Sequence, residues 1–437
     1  MSAWVVDERG TGEPLSTGDM TTIATSAPRL TRAQRAEQEA ADIGWLTGTE
    51  GLAALEAVVR SAGATLVSAV VHEVHHRPGA GVTVGFDARV ATAADPLERA
   101  EYILLTTGQV EVPASPASGI VRLQNGERVL HAWKHPADPA LPGLPIASDV
   151  TRAAARTRLD EDPGTAVLEL IGYRPMRRAV LSLTSQRRRV FLKVVRPDQL
   201  DGLLARNRYA EPAGAPPVLD VWDESVLVFP QAQGEPLPEL LARDGAASVD
   251  PRDLLTCLDS IHPDAVTLPL RRPWAERSAH YADAACNVLP DQADRIRHLE
   301  SRIASLIERF PRGPVVPTHG DFHAANILMT GAAVTALLDV DTIGPGQRVD
   351  DLACLLGHMA VLPCLAPETY PLVPTTLRRW MSVFDSAVHP GALRVRAAGV
   401  VLSLLASMPA NDTSEAARTD ALGRLAVAEQ LLSEVRD

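Results

Sequence analysis

The sequence predicts an α+β protein in which a small, antiparallel β-rich lobe precedes a larger helical lobe, with an additional β-rich domain at the N-terminus. Short apolar or alternating runs of strand length fill the first half of the chain. Long amphipathic helical patterns dominate from about Glu235 onward. Because a proline-rich break also lies near residue 150, we predict domains at residues 1–150, 151–234 and 235–437.

Composition narrows the class of protein. With 437 residues the chain is too long for one compact core, and its 46% hydrophobic content is that of a folded globular protein. The net charge is −12 and no basic surface is visible, so a nucleic-acid partner is not expected. Four scattered cysteines form no CxxC pair, which is typical of a reducing compartment.

Targeting signals are not expected either. The N-terminal residues show neither the basic nor the apolar region of a signal peptide. The longest apolar stretch, Ala397 to Met408, is too short to span a bilayer and predicts a buried helix. We therefore expect a cytoplasmic protein without membrane contact, and the sequence leaves its oligomeric state open.

In the N-terminal domain, a helix is predicted over residues 51–62, followed by strands. The segments GVTVGFDARV, EYILLTTGQVEV and GIVRLQNGERVLHAWKHP predict a small antiparallel sheet, with a hairpin turn at Asn125 and Gly126. The prolines of the next segment, PADPALPGLP, forbid a helix or central strand. Strands of the following lobe are predicted in RRAVLSLTS, RRVFLKVV and ESVLVFPQ.

The densest polar pattern is THGDFHAANILMTGAAVTALLDVD, from Thr318 to Asp341. Asp321 precedes Asn326 by five residues in a loop bounded by apolar segments, so the two can face one cavity. A predicted strand returns Asp339 and Asp341 to that loop, and strand alternation places both on one face. Because converging carboxylates are costly without a cation, the pattern suits Mg²⁺ held together with nucleotide phosphates.

These motifs resemble those of the aminoglycoside phosphotransferase family, kinase-like enzymes with the catalytic-loop pattern H-G-D-x-x-x-x-N and a metal-binding D-x-D/E segment. The matching residues are His319, Gly320, Asp321, Asn326, Asp339, Asp341 and Asp351. The resemblance covers about residues 165–360, including the interlobe linker VFPQAQGEPLPELL with Gln231. It implies a bilobal protein-kinase-like fold.

The resemblance also implies a reaction and roles for individual residues. The γ-phosphate of ATP or GTP would pass, with Mg²⁺, to a hydroxyl of a small metabolite such as a sugar, amino sugar or aminoglycoside-like compound. Asp321 would accept the hydroxyl proton, and Lys193 and Gln231 would bind the nucleotide. The metal would be held by Asn326, Asp339 and Asp341, although Asp341 could merely order the loop. His319 would hold the loop through backbone hydrogen bonds.

The amino-acid composition also supports a phosphate-binding role for Lys193. It is one of only two lysines among 42 basic residues, the other being Lys134. The chain has used arginine wherever a positive charge suffices, yet a planar guanidinium cannot replace a compact ammonium at a tight phosphate site. The alternative is that a rare lysine survives here by accident.

The sequence departs from the family pattern in two respects. Only one glycine, Gly172, precedes Lys193 where a glycine-rich loop would lie, and no well-placed glutamate follows as its partner. The choice between ATP and GTP therefore stays open, as do a catalytically inactive pseudokinase and a kinase acting on Ser or Thr of a peptide. Asp351 could cap its helix or brace the catalytic loop. The N-terminal domain is loosely similar to the cap of sugar kinases such as maltokinase and glucosamine kinase.

A second motif, HEVHH from His72 to His76, matches the zinc-protease pattern H-E-x-x-H. That chemistry requires both histidines on one helical turn. The surrounding β-branched residues predict a strand instead, on which the two rings would lie roughly 13 Å apart, too far to share one Zn²⁺. A metalloprotease is therefore the less favoured alternative.

Overall fold

The computed structural model describes residues 4–7, 32–76, 79–94, 97–110, 119–126, 128–158, 165–186, 188–409, 412 and 414–435. The chain forms two compact units: a first unit of Met1–Leu200 with Leu219–Phe229, and a second unit of Asp201–Val218 with Pro230–Asp437. The predicted fold class is confirmed, because antiparallel sheets and helices build the protein and its N-terminal region is β-rich. The division into three domains stays a prediction.

A six-stranded antiparallel sheet forms the N-terminal part of the first unit. Its strands follow the order β1-β5-β6-β4-β3-β2. They are β1 (Val5–Asp7), β2 (Ala64–His76), β3 (Val82–Thr92), β4 (Arg99–Thr106), β5 (Ile120–Asn125) and β6 (Arg128–Lys134). The predicted hairpin joins β5 to β6, with Gly126 at φ +60. The last two residues of the predicted segment EYILLTTGQVEV lie outside the described residues.

Two helices accompany this sheet, α1 (Arg32–Thr47) and α2 (Thr49–Ser61), the second close to the predicted residues 51–62. Leu55 and Val58 lie one helical turn apart on α2, and they share a buried cluster with Phe86 of β3. Burial of this apolar face is what holds α2 against the sheet, while Glu56 and Arg60 lie on its exposed face.

The second sheet of the first unit has the strand order β10-β11-β9-β8-β7. Its strands are β7 (Val167–Arg174), β8 (Arg178–Thr184), β9 (Arg189–Val195), β10 (Asp220–Trp222) and β11 (Val226–Pro230). The alternation on β9 buries Val190, Leu192 and Val194 and leaves Lys193 half-buried on the other face.

Two short helices precede this sheet, α3 (Leu144–Ala147) and α4 (Val150–Thr157). Helix α3 corrects the prediction that the prolines of PADPALPGLP forbid a helix. Pro145 stands in the first turn of α3, where its missing N–H would have had no intrahelical partner.

The second unit is mainly helical. Its helices are α5 (Leu200–Ala210), α6 (Leu237–Asp244), α7 (Pro251–Asp259), α8 (Ser278–Val288), α9 (Ala293–Arg309), α10 (Arg348–Leu365), α11 (Val373–Phe384), α12 (Pro390–Ala406) and α13 (Glu415–Ser433). Two small sheets interrupt them, one made of β12 (Glu235–Pro236), β14 (Ile327–Thr330) and β15 (Ala333–Leu337), the other of β13 (Val315–Thr318) and β16 (Gly344–Gln347).

Helix α12 is the buried helix predicted from the long apolar stretch. It packs against α8, α10 and α13, which explains why its residues from Ala397 to Leu405 are all apolar apart from the buried Ser403. The approach to α10 is close, since a Cβ added to Gly357 would lie 2.8 Å from Cγ1 of Val400. Within the described residues, no helix combines the length and the hydropathy that a bilayer crossing requires.

A hydrogen-bond network joins the two sheets of the first unit. The indole N–H of Trp133 on β6 donates to the hydroxyl of Tyr173 on β7 (3.1 Å), which donates to Oδ2 of Asp138 (2.6 Å). The same carboxylate oxygen accepts from the backbone N–H of Met176 in the β7–β8 turn (2.7 Å). Burial raises the pKa of Asp138 in spite of these bonds. The buried carboxylate of Asp138 therefore needs each of these hydrogen-bond donors to offset the cost of its burial.

We expect Tyr173→Phe to lower the free energy of unfolding by about 1–3 kcal/mol, because it leaves buried partners unsatisfied. Tyr281→Phe is the control, since the Tyr281 hydroxyl is buried without a hydrogen-bond partner among the described residues. Denaturant titration of both variants measures the difference. Equal loss in the two variants would contradict the importance of the network.

Candidate active site

The predicted catalytic loop leaves β13 at Thr318 and enters β14 through a 3₁₀ turn over Ala324–Asn326. His319 is fully buried at its start. Its Nε2–H donates to the carbonyl of Leu338 (2.9 Å), and its Nδ1 accepts from the backbone N–H of Asp321 (3.3 Å). Burial lowers the pKa of His319, so the ring is neutral. Its contacts are those of the loop-holding role predicted for it.

Asp351 holds the same loop from helix α10. Its two carboxylate oxygens accept from the backbone N–H groups of His319 (3.0 Å) and Gly320 (2.8 Å). The side chain is 1% exposed, and burial raises its pKa to about 6 against the opposing effects of Arg348 and these two N–H donors. Of the two predicted roles, these bonds favour bracing of the loop.

Gly320 makes the turn between these two anchors. It adopts φ +80, and a Cβ at this position would lie 2.9 Å from the carbonyl oxygen of Thr342. Both the left-handed backbone and the close approach require glycine here. The hydroxyl of Thr342 donates to the carbonyl of His319 (2.6 Å), so the segment after Asp341 is tied to the loop as well.

Asp321 and Asn326 lie in one compact loop, as predicted. The Nδ2 group of Asn326 donates to the backbone carbonyl of Asp321 (3.0 Å) and lies 3.2 Å from Nε2 of His323. Because the amide nitrogen is used inside the loop, Oδ1 is the atom that Asn326 could offer to a cation. The half-buried carboxylate of Asp321 lies 4.0 Å from Nε2 of His323.

The segment holding Asp339 and Asp341 differs from the prediction. Strand β15 ends at Leu337, Asp339 has left-handed backbone angles (φ +49, ψ +54), and Asp341 lies in a 3₁₀ turn over Val340–Thr342. The strand alternation argued for these two acids is therefore wrong. A left-handed aspartate is strained by about 1–3 kcal/mol, a cost usually tolerated where function requires it.

The segment is nevertheless joined to the catalytic loop. Leu338 accepts from the His319 ring through its carbonyl, and its N–H donates to the carbonyl of Asn326 (2.8 Å). Leu338 is thus bonded to both ends of that loop, at His319 and Asn326. The half-buried Asp339 and Asp341 come directly after it in the chain. Together with Asn326 they supply carboxylate and amide oxygens, a donor set that fits Mg²⁺.

The other two predicted site residues belong to separate places in the chain. Lys193 lies on β9 of the first unit, and Gln231 is exposed just after β11 at the start of the second unit. The described contacts bring together the loop and the Asp-Val-Asp segment of the second unit. The roles of Lys193 and Gln231 in nucleotide binding stay predictions.

Sequence reasoning missed two neighbours of Asp321. Cys354 on α10 lies with its Sγ 3.9 Å from Oδ1 of Asp321, and the ring of His358 stacks on that of His323 at 4.5 Å between centroids. Burial lowers the pKa of His358 to about 3 and raises that of Cys354. The sequence does contain one indication of this pair, because residues four apart lie on the same face of a helix.

A cavity next to the loop was also missed. Trp274 borders it and donates from its indole N–H to the carbonyl of Gly320 (3.3 Å). At its inner side the 2% exposed Arg396 pairs with Asp350, while Nη2 of Arg396 has no hydrogen-bond partner in the described part of the chain. The cavity is lined by Arg271, Arg272, Pro273, Trp274, Ala275, Thr318, Gly320, Thr342, Pro345, Gly346, Asp350, Asp351, Ala353, Arg396 and Val400.

The HEVHH motif lies on strand β2, as predicted. Nδ1 of His72 is 2.9 Å from Oδ2 of Asp87, and Nε2 of His76 is 2.8 Å from Oε2 of Glu39. Each histidine thus has its own carboxylate partner. The zinc-protease hypothesis is wrong, because it requires a helix at this position.

Comparison with known proteins gives one family. Residues 177–367 match the model of the phosphotransferase enzyme family (APH). No curated protein matches the chain. Solved structures with some similarity include aminoglycoside phosphotransferase APH(4)-Ia in complex with ADP and hygromycin B, at 15% identity and a TM-score of 0.45, covering 65% of this chain and 98% of that one.

Two kinases show comparable similarity. A choline/ethanolamine kinase family protein from Mesorhizobium loti is 20% identical with a TM-score of 0.43, covering 64% of this chain and 95% of that one. An ethanolamine kinase from Plasmodium vivax is 12% identical with the same TM-score, covering 64% and 87%. Similarity at this level does not identify a substrate. The family match, in contrast, includes the catalytic loop and the Asp-Val-Asp segment, and the predicted resemblance to this phosphotransferase family is therefore confirmed.

Proposed function

We propose that this protein is a Mg²⁺-dependent phosphotransferase that moves the γ-phosphate of ATP or GTP to a hydroxyl of a small molecule. The observation that carries the proposal is the geometry of one loop. Asp351 and His319 hold its start, and Leu338 links it to the segment of Asp339 and Asp341. In this arrangement Asp321 would supply the carboxylate for proton transfer, and Asn326, Asp339 and Asp341 would supply oxygen ligands for a cation.

Asp321 is the proposed general base. It sits in a loop whose backbone is bonded at His319, Gly320, Asp321 and Asn326, so the main chain that carries its side chain is held in place before any acceptor arrives. Such preorganisation matters because an error of about 1 Å in position can cost roughly 100-fold in rate. The acceptor hydroxyl would give its proton to this carboxylate as its oxygen attacks the γ-phosphorus, and the bond from that phosphorus to the bridging oxygen would break to release the nucleoside diphosphate.

Mg²⁺ would be held by Asn326, Asp339 and Asp341. When bound, the ion would neutralise charge on the nucleotide phosphates. The protein's own contribution would be to orient these ligands: Asn326 uses its amide nitrogen inside the loop, and Asp339 has a left-handed backbone conformation. Lys193 and Gln231 complete the proposal as nucleotide-binding residues, Lys193 on the phosphates.

The charges that line the cavity indicate which class of phosphate acceptor would bind there. The two acids of the cavity both have partners, Asp351 in the loop N–H groups and Asp350 in Arg396, although Oδ2 of Asp350 has no hydrogen-bond partner among the described residues. Arg271 and Arg272 border the cavity without an acidic partner among the described residues. A surplus of positive charge favours a neutral or anionic hydroxyl compound over a polycationic aminoglycoside-like one.

The direct experiment is a nucleotide-dependent phosphorylation screen. It should contain neutral sugars, sugar acids, amino sugars, aminoglycosides and a pool of Ser- and Thr-containing peptides, each with ATP and with GTP. Phosphorylation of a small hydroxyl compound supports the proposal. Exclusive transfer to peptides would favour a peptide kinase, and nucleotide binding without transfer or hydrolysis would favour a pseudokinase.

The first prediction concerns the base. Asp321→Asn should retain the fold and nucleotide binding but lose about 10²–10⁴ in transfer rate, because an amide cannot accept the hydroxyl proton. Turnover and nucleotide affinity, measured on the same preparation, separate these effects. A variant that transfers phosphate at the unmodified rate would exclude Asp321 as the base.

A second prediction ranks the two metal ligands. Asp339→Ala should weaken Mg²⁺-dependent nucleotide binding more than Asp341→Ala, because Asp339 comes first in the Asp-Val-Asp segment. Titrating Mg²⁺ at fixed nucleotide concentration provides the comparison. A larger loss in Asp341→Ala would reverse the assigned roles.

The third prediction concerns Lys193→Arg, which preserves charge. If the ammonium holds phosphates, the wider guanidinium displaces them and turnover falls roughly 100-fold at nearly unchanged stability. Lys134→Arg is the matched control, because Lys134 pairs with Glu101 at an exposed position (2.5 Å). Near-normal turnover in both variants would remove Lys193 from the site.

A further inference from the structure

Three side chains of different chemistry meet beside the catalytic loop: Asp321, Cys354 and His358. One ligand atom from each, an oxygen, a sulfur and a nitrogen, lies within 4.8 Å of the other two. Cys354 and His358 come from adjacent turns of α10, and Asp321 comes from the loop packed against that helix. The cluster shares none of its members with the proposed Mg²⁺ ligands.

The donor set is unsuited to Mg²⁺, which prefers oxygen ligands, and suited to Zn²⁺ and similar transition ions. With Zn–S and Zn–O distances of about 2.3 and 2.0 Å, a tetrahedral ion separates sulfur from oxygen by roughly 3.5 Å. Sγ of Cys354 and Oδ1 of Asp321 are already 3.9 Å apart. A shift of a few tenths of an ångström would therefore bring both atoms to ligand positions.

Neighbouring groups support the same site. His358 is neutral, so its ring can present a lone pair to a metal without first losing a proton. His323 stacks on the ring of His358 at 4.5 Å between centroids and lies 4.0 Å from Asp321, so it borders the cluster without belonging to it. Asp321, His323 and His358 are half-buried rather than sealed, so an ion can reach the cluster.

We propose that Asp321, Cys354 and His358 form a binding site for Zn²⁺ or a similar thiol-preferring divalent ion, and that the bound ion inhibits phosphotransfer. On binding, the Cys354 thiol releases its proton to solvent and the sulfur coordinates as thiolate. The carboxylate of Asp321 then donates to the ion and is no longer available to accept the acceptor proton. The inhibition rests on the proposed function, whereas the binding of the ion does not.

Binding is tested with Co²⁺ as the spectroscopic probe on the full chain. Co²⁺ bound to a thiolate gives a near-ultraviolet charge-transfer band, which we expect at one ion per chain in the unmodified protein and in Cys364→Ala. Cys364 is the matched control, because it lies half-buried on the same helix and outside the cluster. Zn²⁺ should displace Co²⁺ and remove the band.

The band should be absent in Cys354→Ala and in Cys354→Ser, the second variant retaining the side-chain volume of the buried site. His358→Asn should weaken Co²⁺ binding at least tenfold, since even the loss of an outer partner of a metal ligand costs about 10–100-fold. His298→Asn, at an exposed position, should bind as the unmodified protein does. No band in the unmodified protein, or a band that persists in Cys354→Ala, overturns the site.

Turnover with any acceptor found in the screen tests the inhibition. At saturating Mg²⁺, Zn²⁺ should inhibit the unmodified enzyme and Cys364→Ala at concentrations at least tenfold below those that inhibit Cys354→Ala. Equal sensitivity of all three overturns inhibition through this cluster. A Co²⁺ band in a protein that transfers phosphate to no acceptor would support the metal site while contradicting the proposed function.

Discussion

The buried carboxylate of Asp351 is the contact on which the geometry of the candidate site depends. One side chain, 1% exposed, receives two consecutive backbone N–H groups from His319 and Gly320. Hydrogen bonds to a charged group are worth about 1.5–3 kcal/mol each, and a buried carboxylate without them would be strongly disfavoured. The helix and the loop therefore stabilise each other: the loop N–H groups compensate the burial of Asp351, and Asp351 satisfies two backbone donors at the turn of Gly320.

From this anchor the remaining contacts follow along the backbone. His319 reaches across to Leu338, whose N–H returns to Asn326, so the loop and the Asp-Val-Asp segment close into one hydrogen-bonded unit. Thr342 adds a third connection at the far end of that segment. The acids at 339 and 341 are thus positioned by their neighbours' main-chain bonds rather than by a regular strand.

The local parts of this arrangement were predictable from the sequence, and the non-local parts were not. The loop motif, the hairpin at Asn125 and Gly126 and the buried α12 each follow from residues adjacent in the chain. The left-handed turn at Asp339 could not be predicted in this way. The alternation of apolar and polar residues continues in the sequence to Asp341, whereas the strand itself ends at Leu337. Cys354 likewise meets Asp321 only because α10 folds back over the loop, a contact between residues 33 positions apart.

The network of Trp133, Tyr173 and Asp138 has a consequence for how this chain can be divided. Asp138 lies between the two sheets in sequence, receives the Tyr173 hydroxyl from one and holds the turn at Met176. The N-terminal sheet is thus not an interchangeable module: removing the chain up to Asp138 would leave the Tyr173 hydroxyl without both its indole donor and its carboxylate acceptor. Engineered chimaeras that exchange this region should carry all three residues from the same parent.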